Sequence, residues 1–281
     1  MTASFGERTR AALAARGPLC VGIDPHAALL SAWGVGDTAA GAREFGLRAV
    51  DAAADRVGVV KPQVSFFERF GSAGFAALED VLREARDAGL LVIADAKRGD
   101  IGTTMDAYAE AWLTRGSPLE ADAVTVNPYL GVGALESTFA LAEEHGKGAF
   151  VLAATSNPDA GTVQRARSES GNTISAAVVA EVSARNAGTT AEGEWASLGL
   201  VIGATVDWAH AGLSPFTPPA PILAPGFGAQ GAGPDDLVSR FGTSAPLVIA
   251  SESRSILQAG PTGIAAAIDA RVDEYRRRAD A

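Results

Sequence analysis

The chain has 281 residues, 47% hydrophobic and 20% charged, a composition that folds into a globule with a sizeable core. Its formal net charge of −10 sets it against nucleic acid and anionic membranes, so any anionic ligand needs a local positive site. The lone cysteine, Cys20, excludes an intramolecular disulfide and fits a reducing cytoplasm. No apolar run approaches the roughly 18 residues of a membrane span.

In chain order, Met1 to Arg16 is expected to be a polar, amphipathic helix without the apolar centre of a signal peptide. Eight short apolar runs follow, each closed by a Gly, Pro or polar turn: Leu19–Asp24, Val57–Lys61, Leu90–Lys97, Ala123–Asn127, Ala149–Thr155, Leu198–Thr205, Pro221–Gly226 and Leu247–Ser251. Most are continuous rather than alternating, the pattern of parallel strands buried on both faces. Between them, apolar residues recur at three-to-four spacing over Ala39–Asp55, Gly74–Ala88, Thr104–Arg115 and Gly131–His145. Further helices are expected over Ile174–Ala187, Asp235–Arg240 and Gly263–Arg278. Strand and helix alternating eight times predict one closed (β/α)8 TIM barrel over residues 1–281, with an open doubly wound sheet as the alternative. The long polar stretch Asn157 to Trp195 is expected to be a loop with one or two helices at the top of the barrel. The Pro-rich stretch Ala209 to Pro219 is expected to be a surface loop.

Charge gathers at strand ends. The apolar third run closes in Asp95-Ala96-Lys97, and residues two apart on a strand share a side. Asp100 follows in the next loop, and Thr103 and Thr104 begin a helix. Asp24 closes the first run and Lys61 the second. A salt-bridged turn explains any one such pair. Several costly charges converging on the catalytic rim of a barrel point instead to a site. The seventh run leads into Pro225-Gly226-Phe227-Gly228-Ala229-Gln230-Gly231 and the eighth into Ser253-Arg254-Ser255. Loops after strands seven and eight are the usual phosphate site of this fold. Glycines there let N–H groups approach phosphate oxygens, and an Arg adds charge-assisted hydrogen bonds.

Asp95-x-Lys97-x-x-Asp100-Ile101-Gly102-Thr103-Thr104 resembles the signature of the orotidine 5′-monophosphate decarboxylases. The whole chain resembles the longer bacterial branch of that family, with Lys61-Pro62-Gln63 on its second strand. The resemblance implies loss of CO2 from orotidine 5′-monophosphate to give UMP, the last step of pyrimidine nucleotide synthesis, in the cytoplasm and without a cofactor. It implies that Lys61, Asp95, Lys97 and Asp100 form an alternating charge network, with Lys97 the proton donor. It further implies a homodimer in which Asp100 reaches the neighbouring subunit's site. Asp24 and Lys61 then bind the ribose hydroxyls, Thr104 and Ser156 belong to the substrate site, and Gln230 and Arg254 hold the 5′-phosphate. The Gly-rich loop corresponds to part of a closing lid.

Two alternatives stay open on the sequence. One is a Mg²⁺-dependent lyase of the same superfamily acting on a keto-sugar phosphate, which needs extra carboxylate ligands where Lys61-Pro62-Gln63 stands. The other is a non-catalytic phosphate-ligand barrel. No metal-ligand spacing is visible; His26, His145 and His210 are scattered. Cys20 and Trp112, Trp195 and Trp208 are expected to pack, and Arg276-Arg277-Arg278 to suit a helix C-terminus.

Overall fold

The computed structural model describes residues 3–279, so Met1 and Thr2 of the expected N-terminal helix, and the last two residues of the expected domain, lie outside the described residues. Eight parallel strands close into a barrel in sequence order. They are β1 Leu19–Ile23, β2 Val59–Pro62, β3 Leu91–Arg98, β4 Ala123–Val126, β5 Gly148–Ala154, β6 Leu198–Ile202, β7 Ile222–Pro225 and β8 Val248–Glu252. Each of the eight runs seen in the sequence coincides with one strand, β2, β3 and β8 extending one residue further. Closure by the β1–β8 pairing, Leu19 against Ala250 and Val21 against Glu252, rules out the open sheet. Among the described residues no helix is long and apolar enough to cross a membrane.

The continuous apolar runs are explained by burial on both faces. Outward residues pack under the surrounding helices, as Val21, Val60, Val92 and Val124 do with Phe45, Leu78, Val81 and Leu82. Inward residues form a separate layer to which every strand contributes one side chain: Cys20, Val59, Ile93, Ala123, Phe150, Val201, Leu223 and Ile249. Phe5, on the Phe5–Arg16 helix, plugs this layer from below, edge-on to Phe150 with ring centroids 5.9 Å apart. Burial pushes the Cys20 thiol up to about 12, so it is an inert part of this layer.

Several elements differ from their sequence expectation. The stretch expected as one helix over 131–145 begins with a tighter turn, Val132–Leu135, and becomes α-helical only over Glu136–His145. Gly131 (φ +94°) and Gly133 lie in that first turn, where α-helix is weakly favoured. The helix expected from Gly74 starts earlier, at Gly71. Within the 157–195 stretch, the turn Pro158–Ala160 and the short helix Gly161–Gln164 stand by the strand ends. Ile174–Ala187 is an ordinary barrel helix: Val178, Val179 and Val182 are buried, and Asn186 donates to Leu198 O at 2.8 Å.

Candidate active site

On four strands, β2, β3, β4 and β8, the inward position one step above the apolar layer is polar. Lys61 lies two residues after Val59, Asp95 after Ile93, Thr125 after Ala123 and Ser251 after Ile249, so strand alternation carries all four to the barrel axis. They are buried, Lys61 at 5% and Asp95 at 6% exposure. Above them opens a cavity of about 580 Å³, lined among others by Asp24, Lys61, Asp95, Lys97, Ser156, Gln230 and Arg254. Seven of the nine residues singled out from the sequence therefore share one chamber at the carboxyl ends of the strands.

Asp95 organises the floor. Lys61 Nζ donates to its Oδ2 at 2.9 Å, Lys97 Nζ to its Oδ1 at 2.5 Å, and Thr125 Oγ1 to Oδ1 at 2.9 Å. Burial alone would raise the Asp95 carboxyl; the ammoniums of Lys61 and Lys97 outweigh it and hold the group well below the usual carboxylate range. For Lys61, burial works against the charge, but Asp95 and then Asp24 more than restore it, so its affinity for the proton is raised. Asp95 is therefore a carboxylate and Lys61 an ammonium at neutral pH. A buried ion pair is retained only where its hydrogen bonds are well made, as here. Asp24 is the exception: its Oδ1 is buried without a hydrogen-bond partner, while the residue lines the chamber. A buried acceptor left unpaired is a place for a ligand donor.

Asp95 and Lys97 meet, but not by simple strand alternation. The β3–β4 register runs from Ala94↔Val124 to Arg98↔Val126, so three residues of β3 face Thr125 alone. Lys97 sits in this bulge with φ +50°, and its side chain is 46% exposed to the chamber mouth.

The opposite rim is built from β7 and β8. Gly226 and Gly228 have φ +115° and +73°, which lets the chain turn tightly and brings Phe227, Ala229 and Gln230 to the chamber. Arg254 begins a short helix just after β8. Beneath both loops lies Glu252, fully buried. Ser255 Oγ donates to its Oε2 at 2.8 Å and Tyr275 OH to its Oε1 at 3.0 Å, and Arg271 Nε lies 3.2 Å from Oε2. Burial raises the Glu252 carboxyl despite these partners.

Ser156 follows β5. Gln164 fixes that turn with both ends of its amide: Oε1 accepts from Thr155 N at 2.8 Å and Nε2 donates to Thr155 Oγ1 at 2.8 Å.

Two of the nine residues lie away from this chamber within the single chain. Asp100 does not join the Asp95 network: its Oδ1 accepts from Ile101 N at 2.8 Å, because the chain turns outward after β3. Thr104 is exposed on the Gly102–Leu113 helix and does not line this chamber. Sequence reading in turn passed over Thr125, Gln63, Ser251, Glu252 and Gln164. The first three were accessible by counting two residues along each strand; Glu252 and Gln164 had no local signal. Among the described residues no three His, Cys, Asp or Glu side chains cluster as metal ligands.

Fold and site together define a barrel enzyme whose charged chamber opens among the loops at the carboxyl ends of its strands. Residues 17–267 match the model of the Orotidine 5'-phosphate decarboxylase / HUMPS family. An orotidine 5'-phosphate decarboxylase of Salinispora tropica is 52% identical over 262 residues, 93% of this chain and 92% of that protein. The enzyme of that name from Streptomyces coelicolor is 50% identical over 275 residues, 97% of each chain. Among solved structures, the OMP decarboxylase of Leishmania donovani superposes with a TM-score of 0.78 at 30% identity, covering 99% of this chain and all of that one. The chain belongs to the orotidine 5'-phosphate decarboxylase / HUMPS family.

Proposed function

We propose that this chain decarboxylates orotidine 5′-monophosphate to UMP and CO2, as one catalytic domain of the cytoplasm. The observation that carries this is the Lys97 ammonium 2.5 Å from Asp95, at the mouth of a chamber whose other rim bears Gln230 and Arg254. No feature of the chamber favours the alternative of a Mg²⁺-dependent lyase of the same superfamily acting on a keto-sugar phosphate.

Losing CO2 from C6 of the orotate ring leaves electron density on a ring carbon with no conjugated sink. The protein's task is then to stabilise that charge with fixed groups and to supply a proton. Lys97 does both: its ammonium faces the developing carbanion and then protonates C6. Asp95, held ionised by Lys61 and Lys97, stands against the substrate carboxylate. Like charges about 4 Å apart at an effective dielectric near 20 repel by roughly 4 kcal/mol. That contribution is too small to account for the rate, so the preorganised ammonium carries most of the effect. Asp24 and Lys61 take the ribose hydroxyls, the unpaired Asp24 Oδ1 being a ready acceptor. Ser156 meets the pyrimidine, and Gln230, Arg254 and the N–H groups of the Gly226–Gly231 loop grip the phosphate. That remote grip supplies binding energy to orient the ring and close the loop.

The active form is a homodimer in which Asp100 and Thr104 complete the partner's chamber. Supporting this, Ile101, Tyr129 and Leu130 are large apolar side chains 61%, 78% and 53% exposed on the loops beside Asp100. Exposed apolar residues grouped in this way are typical of a covered interface.

The test is an ultraviolet assay of orotidine 5′-monophosphate loss by purified protein, with and without chelator. Turnover unaffected by chelator is the expected result. No turnover, or turnover only of a keto-sugar phosphate with Mg²⁺, overturns the proposal.

A further inference from the structure

One buried hydroxyl stands between the two groups assigned to the chemistry. Thr125, in the middle of β4, is 1% exposed. Its Oγ1 donates to Asp95 Oδ1 at 2.9 Å and accepts from the Lys97 backbone N–H at 2.9 Å. Asp95 Oδ1 is also the oxygen that Lys97 Nζ reaches. Thr125, Asp95 and both ends of Lys97 thus form one closed hydrogen-bonded ring.

The ladder shows why a hydroxyl is needed. Three residues of β3 face one of β4 in the bulge, so Lys97 N–H is bonded by a side chain where a regular ladder would offer a carbonyl. The Lys97 backbone is left-handed, φ +50°, a conformation that a residue with a Cβ keeps only where its surroundings hold it. Val124 and Val126 flank Thr125, and a third valine would be an ordinary strand residue there. It would fill the same space, leave Lys97 N–H without a partner, and take one donor from Asp95.

We propose that Thr125 is a positioning residue, whose hydroxyl locks the Asp95 carboxylate and the left-handed Lys97 backbone into the geometry that aims the Lys97 ammonium at the reacting carbon. This rests on Lys97 being the proton donor. Thr125 does not line the chamber; it acts through its two neighbours.

The experiment compares Thr125→Val with Thr125→Ser. Valine keeps the volume and loses the hydroxyl; serine keeps the hydroxyl and loses a methyl. The Val variant is expected to lose roughly 10- to 100-fold in kcat, the range set by one hydrogen bond to a charged group. Its KM is expected to stay within about twofold, and the Ser variant to recover kcat to within about threefold of the parent even if it melts lower. A packing role gives the reverse order, with Val close to the parent and Ser impaired, and overturns the proposal. A crystal structure of the Val variant reads the same point without turnover: Lys97 is expected to leave its left-handed conformation and its contact with Asp95. Unchanged Lys97 geometry overturns the proposal. An inactive parent protein instead overturns the proposed function, and the variant structure still decides on Thr125. If the Val variant does not fold, Thr125→Ala makes the same comparison.

Discussion

Gly228 lies directly against Glu252: a Cβ built on Gly228 would come 2.7 Å from Glu252 Oε2 and closer still to Ser255 Oγ. The loop proposed to grip phosphate is therefore seated on a buried carboxylate, and its φ of +73° separately favours glycine. Gly228→Ala should displace this loop. Strain in the left-handed region costs of order 1–2 kcal/mol, and the clash adds to it. The expected result is a KM for orotidine 5′-monophosphate raised about tenfold or more, with a smaller fall in melting temperature. Steady-state kinetics beside a thermal melt checks it.

Glu252 itself gives a pH prediction. Ser255, Arg271 and Tyr275 face it, with Glu274 nearby, yet burial leaves its proton affinity raised. An acid raised on folding binds its proton more tightly in the native state. The stability it contributes is thus fully present below its ordinary value and is lost as pH rises through the raised one. Glu252→Gln removes that loss. The melting temperature of the variant relative to the parent should climb as pH rises above the ordinary carboxylate range. A falling difference there would show that the carboxylate is net stabilised in place, and a flat one that folding leaves its proton affinity unchanged.

Lys97→Ala should remove the proton donor while leaving the phosphate rim intact. Positioned proton transfer alone is worth about 10²–10⁴-fold, and the lost electrostatic contribution adds to it, so turnover should drop below detection in an ordinary assay. UMP should still bind, as measured by calorimetry. Near-normal turnover by this variant would remove Lys97 from the mechanism.

Arg254→Ala should act on the opposite rim. Losing hydrogen bonds from a guanidinium to phosphate costs roughly 1.5–3 kcal/mol each, which lowers kcat/KM by about 10- to 100-fold or more. The discriminating control is the unphosphorylated nucleoside, orotidine, whose slow turnover should be the same in parent and variant. Equal losses with both compounds would place Arg254 outside the phosphate grip.

Sharing of Asp100 can be tested by mixing. Lys97→Ala and Asp100→Asn variants should each be nearly inactive alone. In a mixed dimer, one chamber receives an intact Lys97 from one subunit and an intact Asp100 from the other. Random exchange should therefore restore about a quarter of the sites. No recovery after verified exchange would mean that each chain completes its own chamber.

Much of this architecture was legible in the sequence because a parallel barrel writes its strands as unbroken apolar runs and its site as the polar residues that end them. Asp24, Lys61, Asp95 and Lys97 were found that way. Gln230 and Arg254 followed from the strands they succeed. What stayed hidden depends on contacts that no periodicity encodes. Glu252 reads as one more polar residue after an apolar run, and only the meeting of two loops with the C-terminal helix reveals it as a buried support. Gln164 lies in a stretch without periodicity, and its amide finds Thr155 through a local turn that no pattern announces. The bulge at Lys97 was equally invisible, because alternation along Asp95-Ala96-Lys97 gives the right neighbours for a different geometric reason.

The ring of side chains from Cys20 to Ile249, stoppered by Phe5, leaves the charged chamber a dead end. Among the described residues the way in for nucleotide, carbon dioxide and solvent is the doorway at the carboxyl ends of the strands. A compound lodged in that doorway, whatever its own chemistry, therefore halts traffic in both directions and competes with substrate, while the filled base of the barrel offers no independent route by which to relieve it.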